Sequence, residues 1–184
     1  MGNLEKNDKR YVVIQGGLKC LPRLLVVDFD AAALRNSLQI SPDEARALSR
    51  ANEADVELIV VTGGEERFVL SAFADIDLSV TVLSDGPMFG DLDRGRVRLE
   101  HLAACCSKRG VPLRSVAVIA SQPYDCPMLL EAGTAVALET AGYDACAAAD
   151  AVFPARDQDG LAAAIDGVVT WGTGINGIRL ADRG

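Results

Sequence analysis

Short uncharged apolar runs alternate along this chain with segments in which apolar residues recur at helical spacing. Leu24-Leu25-Val26-Val27 carries no polar residue at alternate positions, so it reads as a strand buried on both faces. Glu57 to Val61, Val116 to Ile119, Thr134 to Leu138 and Ala151 to Phe153 read as further strands, with Ser79 to Leu83 between them. Ser41-Pro42-Asp43-Glu44 has the form of a capping box with proline at the first helical position, so a helix starts there. A second helix is expected through Phe68, Leu70 and Phe73. A third runs from Arg98, with Leu99, Leu102, Ala103 and Cys106 on one face, and stops at Lys108-Arg109-Gly110. Asp157 to Val168 is the last. Strict alternation of strand and helix predicts a parallel, Rossmann-like α/β sheet in one domain, over residues 21–169. Residues 1–20 form an N-terminal extension, with Tyr11 to Gln15 as an additional edge-strand or oligomer-contact candidate, and 170–184 form a tail.

Composition narrows the partners. The formal net charge of −8 argues against nonspecific binding to nucleic acid or to an anionic membrane, both of which favour basic surfaces. The segment from Met1 to Arg10 is polar and mixed in charge, unlike a signal or transit peptide, and no apolar run approaches a membrane span, so a cytoplasmic protein is expected. Cys20, Cys105, Cys106, Cys126 and Cys146 contain no Cys-x-x-Cys pair and His101 is the single histidine, so a structural zinc site is not expected and most thiols read as buried and free. Gly172-Thr173-Gly174-Ile175-Asn176-Gly177 matches the dinucleotide fingerprint in letters only. Too little chain follows it for the helix and strand that fingerprint needs.

The chemistry concentrates at strand ends. Asp28 and Asp30 close the first apolar run, where open α/β sheets bind ligands, and two carboxylates there call for a cation or a proton. Thr62-Gly63-Gly64 closes the second strand, and Ala120-Ser121-Gln122-Pro123-Tyr124-Asp125 follows the fourth.

With these three segments the chain resembles the haloacid dehalogenase-like (HAD) phosphohydrolases, most nearly the Cof-type sugar phosphatases. Asp28-Phe29-Asp30 resembles the D-x-D of their first motif and Thr62-Gly63 their second. Asp125-Cys126-Pro127-Met128-Leu129, Ala132-Gly133, Val136-Ala137, Asp150-Ala151-Val152 and Asp159-Gly160-Leu161-Ala162 follow the C-terminal pattern in order. The resemblance implies a three-layer α/β sandwich and a magnesium-dependent phosphomonoester hydrolase working through an aspartyl-phosphate. It gives Asp28 the role of nucleophile and Asp30 that of general acid and base. Thr62, Gly63 and Arg98 would bind phosphate, and Asp28, Asp30 and Asp125 would hold Mg2+, with Ser121 a further candidate residue of the site. Arg98 stands where the family usually has lysine, and Lys108 is a weaker candidate for that cation.

The departures are specific. Ala120-Ser121 replaces Gly-Asp, so one metal-binding carboxylate is missing; Tyr124 replaces Asn, and Ala31-Ala32 replaces Gly-Thr. Only Gly63 to Val97 separates the second motif from Arg98, too short for a cap domain, and Ser84 to Asp91 reads as a hairpin remnant of it. In size the chain resembles the capless, tetrameric 3-deoxy-octulosonate-8-phosphate phosphatases. A capless core implies a phosphorylated small molecule or a larger phosphorylated substrate, and a homodimer or homotetramer. The alternative is a noncatalytic HAD-fold scaffold. A receiver-type signalling domain fits less well, because it would set its acidic pair and its phosphorylated aspartate on different strands.

Overall fold

The computed structural model describes residues 21–29, 39–86 and 91–172. Six parallel strands form one sheet in the order β3-β2-β1-β4-β5-β6. They are β1 (Leu24–Asp28), β2 (Glu57–Thr62), β3 (Val80–Ser84), β4 (Val116–Ala120), β5 (Thr134–Leu138) and β6 (Ala151–Phe153). Among the described residues five helices connect them, α1 (Pro42–Glu53), α2 (Glu66–Phe73), α3 (Asp91–Arg109), α4 (Cys126–Glu131) and α5 (Tyr143–Ala148), and α6 (Gly160–Gly172) follows β6.

Both faces of the sheet are covered, which is why its central strands carry no polar alternation. On one face Leu25, Val27, Leu58, Val60, Ala117 and Ile119 pack against α1, α2 and α6. On the other, Leu24, Val26, Ile59, Val61, Val116 and Val118 pack against α3, α4 and α5. Every residue of β1, β4 and β5 is buried. β3, at the sheet edge, is only half-buried.

The capping box at Ser41 forms as its spacing requires. Ser41 Oγ accepts from the Glu44 amide at 3.1 Å, and the Ser41 amide donates to Glu44 Oε2 at 2.9 Å. In α2 the inward residues are Val69 and Phe73, whereas Leu70 is 45% exposed. α6 starts later than the expected Asp157. Arg156–Gln158 forms a 3-10 turn, and Asp159 takes a left-handed φ of 60° before the helix begins at Gly160.

Of the hairpin expected from Ser84 to Asp91, residues 87–90 lie outside the described residues. β3 pairs in parallel with β2, and α3 has begun at Asp91. Asp85 is 5% exposed: its side chain is turned inward to arginines of α3 rather than serving a strand-to-strand turn. Tyr11 to Gln15 and the glycine-rich segment after Gly172 lie outside the described residues. No helix among the described residues is long and apolar enough to cross a membrane.

Replacing Ser41 by alanine removes the hydroxyl acceptor of the box. Urea unfolding should show a loss of about 1 kcal/mol, the usual cost of an N-cap deletion.

Candidate active site

Parallel register brings the strand ends level. Asp28 lies opposite Val61 and Val27 opposite Ile119, so Asp28, Thr62 and the Ser121 loop meet at one end of the sheet. The strand order reverses across β1 and β4, and ligands of open α/β sheets bind at such a switch point. The pleat turns Leu24, Val26 and Asp28 to the face covered by α3, so the carboxylate looks toward that helix.

What it meets there is Arg98. The Arg98 side chain is 1% exposed, and its Nη1 donates to Asp28 Oδ1 at 3.2 Å and to Asp125 Oδ1 at 2.7 Å. Its Nε donates to Asp85 Oδ2 at 3.0 Å, from the end of β3. The two hydrogens on Nη1 thus serve two different carboxylates while Nε holds the third, a use of the planar fork that lysine cannot reproduce. Arg94, one turn earlier on α3, reaches the same Asp85 Oδ2 with its Nε at 3.4 Å. The Tyr124 ring lies 4.8 Å from the Arg98 guanidinium carbon and 5.2 Å from that of Arg94. Taking an ion out of water costs several kcal/mol, and mutual pairing with stacking offsets that cost here.

The second oxygens of Asp28 and Asp125 are also engaged. Ser121 Oγ donates to Asp28 Oδ2. Asp125 Oδ2 accepts from the Gln122 amide at 3.3 Å, which closes the loop after β4 upon itself. Thr62 is fully buried, and its Oγ1 accepts from the Gly64 amide at 2.9 Å. Ser84 Oγ donates to the Gly64 carbonyl at 2.8 Å, fastening the Thr62-Gly63-Gly64 loop to β3. A Cβ at position 63 would come within 2.6 Å of Arg94 Nη1, so that guanidinium would have to shift to admit one.

Asp28, Ser121 and Gln122 line an open cleft of about 1040 Å3, together with Phe29, Ser41 and Arg156. Thr62, Arg98 and Asp125 lie outside its lining. Arg156 spans the cleft wall, bonding Glu44 at 2.6 and 2.8 Å and the Gln39 carbonyl at 2.7 Å, with its guanidinium carbon 4.7 Å from the Phe29 ring. It joins the start of α1 to the residue after Asp28.

Of the expected site residues, the structure brings Asp28, Arg98, Ser121 and Asp125 into direct contact, with Thr62 and Gly63 on the adjoining strand end. Asp30 lies outside the described residues. Lys108 is exposed near the far end of α3, and His101 is exposed on the same helix. Asp85, Arg94, Tyr124 and Arg156 are additions. For Arg94 the available signal was its spacing, four residues before Arg98 on one helix face. Burial pushes the thiols of Cys106, Cys126 and Cys146 up, against thiolate formation.

The donor chemistry can be tested against the expected magnesium ion. Magnesium takes oxygen ligands in near-octahedral geometry. Among the described residues no group of three His, Cys, Asp or Glu side chains could hold a metal ion. Asp28 and Asp125 meet through a guanidinium nitrogen, and the residue beside Asp28 on the loop after β4 is neutral Ser121. The described side chains do not fit a resident dication.

α3 can bring its arginines this close because Gly95 has no side chain; a Cβ would collide with the Tyr124 carbonyl oxygen and press on Pro127. Alanine is the better helix former by about 1 kcal/mol, yet a backbone clash costs about 1–3 kcal/mol or more. Gly95→Ala should therefore destabilise the protein in urea despite its helix propensity. Arg98→Met, which strands buried carboxylates, should cost about 3–5 kcal/mol in the same measurement.

Residues 98–165 match the sequence model of the haloacid dehalogenase-like hydrolases. No curated protein sequence matches the chain significantly. Solved structures share its fold at low identity. The 3-deoxy-D-manno-octulosonate 8-phosphate phosphatase of Moraxella catarrhalis, in complex with magnesium, phosphate and KDO, superposes with a TM-score of 0.63 at 14% identity, over 84% of this chain and 90% of that one. The cobalt-bound deoxy-D-mannose-octulosonate 8-phosphate phosphatase of Haemophilus influenzae gives 0.61 at 13% identity, over 85% and 94%. In fold this chain is similar to these phosphatases, and over residues 98–165 its sequence is similar to the haloacid dehalogenase-like hydrolases.

Proposed function

We propose that the protein is a phosphomonoester hydrolase in which Asp28 accepts the phosphoryl group. The observation that carries this reading is the placement of Asp28: a carboxylate at the end of the central strand, at a switch point, in the wall of an open cleft. The likeness to two phosphatases of a phosphorylated sugar acid supports it. An Asp28 oxygen bonds to phosphorus as the ester P–O bond breaks, and the alcohol leaves with a proton assigned to Asp30. Water then attacks phosphorus, its proton returns to Asp30, the acyl phosphate P–O bond breaks, and inorganic phosphate departs. Arg98 lends positive charge beside the attacked group, and the Thr62-Gly63 loop offers hydrogen bonds to its oxygens.

Magnesium and cobalt occur in the named neighbours, but these steps use only side chains of this chain. The short connection from β2 to α3 supports a capless site. Such a site would serve a phosphorylated small molecule, with a second copy of the chain covering the mouth in a dimer or tetramer, or a larger phosphorylated molecule that covers the mouth itself. The net charge of −8 speaks against nucleic acid and anionic membrane as partners.

One observation favours a second reading, a noncatalytic scaffold. The Asp28 side chain is 0% exposed, and each of its oxygens accepts a hydrogen bond. A nucleophile so placed must shed a partner before it attacks.

Hydrolysis of p-nitrophenyl phosphate separates the two. The hydrolase should turn over, Asp28→Asn should lower kcat by about two orders of magnitude or more, and mass spectrometry should find a transient phosphoryl group on Asp28. A folded protein with no turnover on a panel of phosphomonoesters leaves the scaffold.

A further inference from the structure

We propose that the guanidinium of Arg98 is the resident cation of the Asp28–Asp125 pair, and that it bars a divalent metal ion from that pair. Phosphatases of this fold include metal-bound examples, so the inference is one about this chain's own side chains. It concerns the site of the proposed hydrolase and rests on that reading only for the turnover arm of its test.

Three features carry it. Nη1 stands within hydrogen-bond distance of both carboxylates, at 3.2 and 2.7 Å, on a side chain that is 1% exposed. A dication shared by those oxygens would have to stand beside a fixed positive charge with little water to screen it. The guanidinium is also held from behind. To swing aside it must leave the buried Asp85 carboxylate at 3.0 Å and the Tyr124 ring, and stranding a buried carboxylate is costly. Among the described residues Asp85 Oδ1 has no hydrogen-bond partner, and its other oxygen is shared by Arg98 and Arg94.

The second feature is charge. Among the described residues the cluster sets the carboxylates of Asp28, Asp85 and Asp125 against the guanidiniums of Arg94 and Arg98. Most of the field that would draw a dication is cancelled within the protein itself. The third is Ser121. It stands where a further acid would add charge and a ligand, and instead donates its hydroxyl proton to Asp28 Oδ2. A donor on that oxygen fits a carboxylate that accepts hydrogen bonds rather than one that ligates.

The test uses the full chain, freed of metal by chelation and titrated with magnesium chloride in a calorimeter, with thermal unfolding in parallel. Wild type should show no saturable heat and no rise in Tm up to millimolar magnesium. Arg98→Ala should gain saturable magnesium binding and a magnesium-dependent rise in Tm. Adding Asp125→Asn to that variant should abolish both. Saturable binding by wild type, lost in Asp125→Asn, overturns the proposal. So does a folded Arg98→Ala that gains nothing. Should Arg98→Ala fail to fold without metal, recovery of the folded state on adding magnesium supports the proposal, and the wild-type titration decides it where there is no recovery.

Turnover separates this inference from the proposed function. Hydrolysis equal within about two-fold in chelator and in magnesium supports both. Hydrolysis that needs magnesium keeps the hydrolase and overturns the resident guanidinium. No hydrolysis, with no magnesium bound by wild type, overturns the hydrolase and leaves Arg98 as the resident cation.

Discussion

Three carboxylates from three strand ends converge on one guanidinium, and the architecture around the site follows from the need to keep that guanidinium in place. Asp28, Asp85 and Asp125 are each almost inaccessible to water, and any of them alone would be a costly buried charge. Arg98 makes them tolerable only if its fork reaches all three at once. That fixes the distance of α3 from the sheet, which in turn requires a residue without a side chain at Gly95, where the helix crosses the Tyr124 carbonyl. The position of α3, the closed loop after β4 and the inward turn of Asp85 are thus consequences of one polar contact set.

This contact set also makes sense of the departures from the family pattern. Each looks like a loss when read singly; together they are complementary. An arginine in place of lysine brings an extra donor, Nε, which needs an acceptor, and Asp85 supplies it. It brings a flat cationic face, which the ring of Tyr124 covers where a smaller amide would not. With a guanidinium between Asp28 and Asp125, a further acid at position 121 would add uncompensated charge. Serine there contributes a neutral donor instead.

The cleft is arranged by a second arginine. Arg156 couples the capping glutamate of α1 to the loop after β6 and lies against Phe29, the neighbour of Asp28. The local signal that starts α1 therefore also stiffens the wall beside the candidate nucleophile. Glu44 serves twice, once for its own helix and once across the cleft.

The strands were legible in the sequence because burial on both faces leaves an uncharged run, a property of neighbouring residues alone. The helix start at Ser41 was legible for the same reason, since its capping partners lie three residues apart. So was the presence of Asp28, Thr62, Ser121 and Asp125 at strand ends. The part Asp85 plays in the site was not legible, because Asp-Gly marks a turn whether its carboxylate faces water or a buried arginine. Arg98 was identified as the cation of the site, but not as the group that ties Asp28, Asp85 and Asp125 together. Those partners stand 70, 13 and 27 residues from it along the chain. The sequence by itself determined the layers, the strand ends and the acids set upon them, because hydrophobic period and capping are short-range effects. Only the tertiary structure decided which charge neutralises which, because that depends on helix-to-sheet distances that no local pattern encodes.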